Sequence, residues 1–162
     1  MRKIREISYW RQETPVGPLS IYKTSKGVCA IKFASRIQPS PHFQLQAKRD
    51  LRISRQLRQY FQGERTTLEI PIDLWGVKGF TRKVLETLYC EVHHGERISY
   101  GALASKVGQP GAARAVGQAM RKNPIPIVIP CHRVVASNGS LGGYSAGLRR
   151  KQRLLTLEKA VV

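Results

Sequence analysis

Acidic residues are scarce in this sequence. Its 162 residues include 10 Asp or Glu but 28 Lys or Arg, and the formal net charge is +18. The excess is +9 up to Lys78 and +9 from Gly79 onward, and the first part has no acidic cluster of the kind that would suggest a nuclease. Such an excess favours a polyanionic partner, above all nucleic acid. A charge that only keeps the protein in solution is the alternative.

Long apolar runs and closely paired cysteines are also missing. The longest apolar stretch lies around Ile125–Ile129 and is interrupted by proline, so we expect no membrane-spanning helix. The first residues lack the apolar segment of a signal peptide, and we therefore expect a cytoplasmic protein. The three cysteines, Cys29, Cys90 and Cys131, are widely spaced, which argues against a disulfide framework and against a structural zinc site.

The first part of the chain has the pattern of an antiparallel meander followed by a helix. Three short β-prone runs are separated by Pro, Gly and Ser, at Ile7–Gln12, Leu19–Thr24 and Val28–Phe33. Helical spacing then predicts a helix that ends near Gly63, with buried positions at Ile53, Leu57, Tyr60 and Phe61. Pro71–Val77 is interpreted as a strand or linker. We place the domain boundary near Val77, which gives domains 1–77 and 78–162.

The second part is predicted to be mostly helical. Phe80, Val84, Leu88 and Val92 are four residues apart and define one apolar helix face. Ser99 can cap a short helix that ends at Gly108. A further helix follows the turn Gln109–Gly111, with buried positions at Ala112, Val116, Ala119 and Met120. Two short helices joined by a glycine-containing turn predict a helix-turn-helix. A last helix is expected over Gly147–Lys159.

The exposed face of the second helix in this pair is basic and slim. Arg114, Gln118 and Arg121 are spaced to share one face, with Lys122 beside them, and most other positions hold Ala or Gly. Such a helix can approach a DNA groove closely. A solvated polar face is the alternative.

Cys131 and His132 form the main candidate for chemistry. A base beside a thiol can convert it to the thiolate, which is the better nucleophile. Adjacent residues of an extended chain point to opposite sides, so either the chain bends here or a water bridges the two groups. Glu158 could hold the histidine tautomer. The alternatives are a buried cysteine beside a surface histidine, and an exposed glutamate paired with a base.

Cys90, His93 and His94 resemble part of a metal site. Three ligands that straddle a predicted helix end do not complete one, and we predict no metal.

The second part resembles a known family. The runs Arg114–Pro124 and Ile129–Val134 are similar to those of the O6-alkylguanine-DNA alkyltransferases, also called methylated-DNA–protein-cysteine methyltransferases. The flanking Ser99–Gly101 and Gly143–Ser145 agree, as does Glu158. The similarity is close over Phe80–Glu158. It is loose in the first part, where it is limited to Thr14–Leu19 and Tyr60–Gly63.

The resemblance implies a mechanism. Cys131 would accept an alkyl group from O6-alkylguanine in duplex DNA, and the expectation extends to O4-alkylthymine. His132 would take the thiol proton through a water, oriented by Glu158, and Asn123 would stabilise the turn. Tyr100 would help to turn the nucleotide out and would donate a proton. Base-pocket residues would be Met120, Val134, Tyr144 and Ser145. Arg114 would replace the extruded base, and further DNA contacts would come from Ala113, Gln118, Arg121 and Lys122.

The resemblance also implies a ribonuclease-H-like first domain, minor-groove binding by the helix-turn-helix, one reaction per molecule and no cofactor. We expect a monomer in solution that can bind DNA cooperatively. Gln118 stands where many members have a small residue, and this changes how closely the helix can approach the groove. Ala146 stands where some members have glycine, and this narrows the tolerance for bulky alkyl groups. Two other functions remain open: a damage sensor that flips bases without transfer, and a sequence-specific regulator.

Overall fold

The computed structural model describes residues 5–33 and 43–159. The chain forms two compact units, Met1–Trp75 and Gly76–Val162. The boundary predicted near Val77 lies close to this division. None of the helices in the described ranges has the length and apolar character needed to cross a membrane.

A four-stranded sheet forms the first unit, in the order β3-β2-β1-β4. The strands are β1 (Arg5–Gln12), β2 (Leu19–Lys23), β3 (Val28–Lys32) and β4 (Phe43–Ala47). The first three pair antiparallel as predicted. β4 was not predicted, and it pairs parallel to β1, so the sheet is mixed and not purely antiparallel. It was missed because it is a short edge strand with glutamine at every second position, a pattern with little apolar signal.

Helix α1 (Leu51–Phe61) packs on the sheet through the four residues predicted for its buried face: Ile53, Leu57, Tyr60 and Phe61. The Asp50 side chain caps the helix by accepting from the amides of Arg52 and Ile53. Ser54 and Gln12 exchange hydrogen bonds that tie the helix to β1. The segment after α1 contributes one bridge, between Val28 and Ile72, so it is mainly a linker.

The second unit is mostly helical, as predicted. Its helices are α2 (Gly79–Glu91), α3 (Tyr100–Lys106), α4 (Ala113–Arg121) and α5 (Leu148–Leu157). Two short strands, β5 (Ile98–Ser99) and β6 (Val134–Val135), pair in parallel.

The pair α3 and α4 is joined by a turn at residues 107–112. The Ser99 hydroxyl caps α3 by accepting from the amide of Ala102 at 3.0 Å. Val116, Ala119 and Met120 of α4 are buried as predicted. Ala112 is only half-buried, because it precedes the helix as its cap. The basic residues of α4 therefore lie on the side of the helix that faces away from the core.

Candidate active site

A short segment between α4 and Cys131 is held by the side chain of Asn123. Its Nδ2 donates to the carbonyl of Ile129 at 2.9 Å, and its Oδ1 accepts from the amide of Ile125 at 3.0 Å. Ile127 is buried with a φ of 75°, a region that β-branched residues rarely adopt. Such a conformation persists only where surrounding contacts impose it. The Asn123 hydrogen bonds are therefore part of what fixes the position of Cys131.

Cys131 begins a 3-10 turn, Cys131–Arg133, directly after Pro130. The amide of Cys131 donates to the carbonyl of Ile129 at 2.8 Å, and that of Arg133 donates to the carbonyl of Pro130 at 2.9 Å. The chain thus bends at the cysteine. The whole residue is 5% exposed, and it contributes to the lining of a cavity.

His132, Arg133 and Glu158 form a buried network behind the cysteine. Nε2 of His132 lies 2.8 Å from Oε1 of Glu158, and neither side chain has exposed surface. Arg133 donates from Nε to Oε2 at 3.0 Å and from Nη2 to Oε1 at 2.8 Å, a bidentate pair. Its Nη1 donates to the carbonyl of Val92 at 2.6 Å. The structure therefore brings His132 and Glu158 together, and it adds Arg133, to which sequence reasoning assigned no role.

The protonation of this network determines which histidine nitrogen carries the hydrogen. Burial raises the pKa of Glu158, but hydrogen bonds from His132 and Arg133 outweigh burial and hold that pKa well below its usual range. Glu158 is therefore an ionised carboxylate that can only accept. Burial lowers the pKa of His132 below its ordinary 6.5, so the imidazole is neutral near pH 7. Nε2 must then donate to Glu158, and Nδ1 keeps a free lone pair.

The Nδ1 atom of His132 is buried and has no hydrogen-bond partner among the described residues. The sequence left two arrangements open, a bend in the chain or a bridging water. The bend is present, yet Nδ1 makes no hydrogen bond to the Cys131 sulfur. A neutral imidazole with an unengaged nitrogen beside a thiol is chemically a general base.

The Cys131 thiol is protonated at rest. Burial raises its pKa above the ordinary 9.0, while the Asn123 amide, the Lys151 ammonium and the Tyr144 hydroxyl act in the lowering direction. The Tyr144 hydroxyl is itself buried close to this sulfur. Burial and the neighbouring sulfur raise its pKa too. Because the thiolate is the reactive form, a cysteine in these surroundings can act as a nucleophile only if a base takes its proton.

Lys151 is a buried cation that sequence reasoning missed. Its Nζ donates to the carbonyls of Val134 at 2.6 Å and Gly143 at 3.0 Å, and also to the carbonyl of Leu141. Burial lowers its pKa to about 8, so it remains mostly charged near pH 7. One ammonium group therefore ties β6 to the loop before α5, and it places a positive charge near the Cys131 sulfur.

A cavity of about 790 Å³ opens beside Cys131. Its walls are the start of α3, the exposed face of α4 and the loop before α5. Nine predicted site residues line it: Tyr100, Ala113, Arg114, Gln118, Met120, Arg121, Cys131, Tyr144 and Ser145. Gly117 and Gly143 complete the lining. The volume is within the usual range of small-ligand sites, so a flat heterocyclic base can be accommodated.

Tyr100 is positioned in this cavity by the loop opposite. Its hydroxyl donates to the carbonyl of Gly143 at 3.4 Å. Gly142 has a φ of 69°, and a Cβ atom at this position would lie 2.9 Å from the Tyr100 ring and hydroxyl. Glycine is therefore required on both conformational and steric grounds.

The remaining predicted site residues lie outside the cavity lining. Asn123, His132 and Glu158 support the cysteine from behind, through the contacts given above. Lys122 is exposed at the C-terminal end of α4. Val134, expected in the base pocket, is fully buried in β6 and contributes no surface to the cavity.

The part-site of Cys90, His93 and His94 does not gather into a cluster. Cys90 and His93 are exposed, and His94 is half-buried. Among residues 5–33 and 43–159, no three His, Cys, Asp or Glu side chains are placed to hold a metal ion.

Comparisons with known proteins match both units. Residues 79–160 match the family described as 6-O-methylguanine DNA methyltransferase, DNA binding domain. Residues 5–74 match its ribonuclease-like domain, in agreement with the fold expected for the first unit.

Individual relatives agree. A methylated-DNA–protein-cysteine methyltransferase of Mycobacterium tuberculosis is 38% identical over 156 residues, covering 95% of this chain and 93% of that protein. One from Mycolicibacterium paratuberculosis is 52% identical over 104 residues, or 64% of this chain and 62% of that protein. The crystal structure of Mycobacterium tuberculosis OGT in complex with DNA superposes with a TM-score of 0.85 and 38% identity, covering 94% of this chain and 93% of that one. This chain therefore belongs to the 6-O-methylguanine DNA methyltransferase family.

Proposed function

We propose that this protein repairs DNA by transferring the alkyl group of O6-alkylguanine in duplex DNA to the sulfur of Cys131. One observation carries the proposal above the others. A buried, oriented and neutral histidine with a free Nδ1 lies behind a cysteine that contributes to the lining of a cavity of about 790 Å³. Family membership gives the reaction, and these residues provide a nucleophile, a base and room for a purine.

The transfer balances within these groups. The thiol proton passes to Nδ1 of His132 through a bridging water, and the ionised Glu158 stabilises the imidazolium that forms. The sulfur then attacks the alkyl carbon, so that an S–C bond forms while the bond between that carbon and O6 breaks. The departing guanine takes up a proton from Tyr100, which is replenished by the proton released from the cysteine. A thioether is a poor leaving group, so each molecule reacts once.

Access to the lesion requires the nucleotide to leave the base stack, at a cost of about a few kcal/mol. A damaged base that pairs poorly lowers this cost. The cavity is bordered on the α4 side by Arg114, Gln118 and Arg121, with the small residues Ala113 and Gly117 between them. Such a surface can approach a groove closely, and we infer that the α3–α4 pair binds the minor groove with Arg114 in the place of the extruded base.

Mass measurement on the protein after reaction tests the proposal. Under reducing conditions, incubation with a duplex containing one O6-methylguanine should add one methyl group per molecule, located on the peptide that contains Cys131. The same duplex with ordinary guanine is the control. Binding to the lesion without any mass increment would contradict transfer and would indicate a damage sensor.

A further inference from the structure

The exposed face of α1, in the first unit, has a row of arginines. Arg52, Arg55 and Arg58 follow one another at intervals of three residues, and all three are exposed. Each interval is about 4.5 Å along the helix axis. Lys48 and Arg49, also exposed, come directly before the helix. We call Arg52, Arg55 and Arg58 the arginine row.

No ion pair among the described residues neutralises the arginine row. Glu13 lines a cavity together with Arg58, but the ion pair that it makes is with Arg11. Helix α1 contains no Asp or Glu. The nearest acid in the chain, Asp50, accepts from two helix amides and from Nζ of Lys23 at 2.7 Å. None of the ion pairs found within residues 5–33 and 43–159 includes a residue of the row. The side chains are therefore available to an external anion.

This arrangement is unfavourable for the isolated fold. Like charges at neighbouring positions on a helix surface repel each other and destabilise the helix. Arg52 also lies in the first helical turn, where the helix dipole disfavours a cation. The exposed surface of α2 is different, because Arg82 pairs there with Glu86 at 2.8 Å. A helix that only needed solubility would gain from mixed charges, so the row indicates a function.

The side-chain type and the spacing indicate the partner. Guanidinium groups bind phosphate oxygens in a bidentate manner, and regularly spaced cations match a regularly charged polymer. We propose that the arginine row binds the phosphate backbone of duplex DNA, independently of sequence, as a second DNA contact outside the α3–α4 pair. The proposal rests on DNA being the partner of this protein, and it goes beyond transfer by assigning a binding role to the first unit.

The salt dependence of binding to an undamaged duplex tests this inference. The slope of log K against log salt falls by about 0.9 for each phosphate contact removed. The variant Arg52→Gln/Arg55→Gln should therefore lower the slope by about 1.8. Between about 50 and 200 mM salt, the wild-type protein should lose about twelvefold more affinity than this variant does. A matched control, Lys26→Gln/Lys32→Gln, removes the same charge from exposed positions outside α1.

The outcomes separate the possible explanations. An equal change in both variants would mean a general charge effect, and an unchanged slope in the arginine variant would mean a partner other than DNA, such as an acidic protein surface. Either result overturns the proposal. Arg52→Lys/Arg55→Lys should keep the slope near wild type, because the charge remains.

Two further measurements separate an effect of the arginine row from a loss of folding and from a failure of the proposed function. The arginine variant should unfold at an unchanged or higher temperature without DNA, since it loses repulsion within the helix. Alkyl transfer from a free O6-alkylguanine base should be unaffected. If that reaction fails in the wild-type protein as well, the proposed function is at fault and not the arginine row.

Discussion

Two cysteines of this protein are half-buried or buried beside a cavity, Cys29 and Cys131, and only Cys131 has the surroundings of a nucleophile. Cys29 on β3 donates its thiol to the carbonyl of Tyr22 at 3.4 Å, and it lines a cavity of about 310 Å³. Burial and the nearby Asp73 raise its pKa to about 11. Burial raises the pKa of Cys131 as well, but there an amide, an ammonium and a hydroxyl act against it.

The difference shows that a shielded thiol beside a cavity is not enough for chemistry. Burial by itself makes a thiol less acidic and therefore inert. What distinguishes Cys131 is a base behind the sulfur and a buried ammonium near it, whereas Cys29 has the carboxylate of Asp73 nearby. The cavities beside the two cysteines do not differ in this respect, because neither is lined by Asp or Glu. The predictions below remove these distinctions one at a time, beginning with the sulfur itself.

The largest effect is expected from exchanging the sulfur atoms. Cys131→Ser should abolish transfer, because a hydroxyl is a far weaker nucleophile than a thiol near pH 7. Cys29→Ser should leave the transfer rate at the wild-type value. Single-turnover transfer from O6-methylguanine duplex, followed by mass spectrometry, measures both. Residual methylation of Cys131→Ser on Cys29 would remove the contrast between the two cysteines.

Removing the base should have the next largest effect. His132→Gln keeps a polar side chain near Glu158 but takes away the proton acceptor, and general bases contribute about 10²–10⁴-fold in rate. The transfer rate should fall within that range while affinity for the undamaged duplex stays the same. If the rate is unchanged, another group must deprotonate Cys131, and the difference from Cys29 would lie elsewhere.

Neutralising the cation should slow transfer less. Lys151→Met removes the positive charge near the sulfur and the three carbonyl contacts that hold the loop. Because the Lys151 charge acts to lower the pKa of Cys131, its removal should raise that pKa and reduce the thiolate population, with a smaller loss of rate than His132→Gln causes. The rate of transfer from a free O6-alkylguanine base measures this directly, without a contribution from DNA binding. Arg153→Met, an exposed position on the same helix, is the control.

The smallest expected effect concerns stability against pH. Burial lowers the pKa of His132 below its ordinary 6.5. Below about pH 6.5, therefore, His132 binds a proton in the unfolded chain but not in the folded protein. The free energy of unfolding should therefore fall as the pH drops below about 6.5, by up to about 1.4 kcal/mol per pH unit for one proton.

Denaturant titrations between about pH 7 and pH 5 check this expectation. His132→Gln should flatten the dependence in that interval, whereas Cys29→Ser should reproduce the wild-type curve. A wild-type stability that is constant over the interval would mean that the folded protein accepts the proton on His132.

Much of the site could be predicted from the sequence, because the cysteine motif and its flanks are contiguous. The cavity contains nine of the predicted residues. Arg133 lies in the motif, but nothing local in the sequence shows that its side chain reaches Glu158. Lys151 lies among Arg149, Arg150 and Arg153 in α5, where it looks like one more solvated base.

The sequence nevertheless contains a pattern that indicates the burial of Lys151. Lys151 shares helical spacing with Leu154, Leu155 and Glu158, and all four residues are buried. Applying the periodicity of α5 to its charged residues would have placed Lys151 on the buried face. In the fold, β4 was missed because none of its residues is buried and its pairing depends on a parallel neighbour far away in sequence. Pairings of that kind leave little local trace.

The contact between Gly142 and Tyr100 has a consequence for the width of the site. The loop that contains Gly142 can approach the Tyr100 ring this closely because glycine has no Cβ atom. The methyl group of Gly142→Ala would displace either the Tyr100 ring or the loop outward by about its own thickness. The range of lesions that fit the cavity is therefore tied to a residue outside the cavity lining.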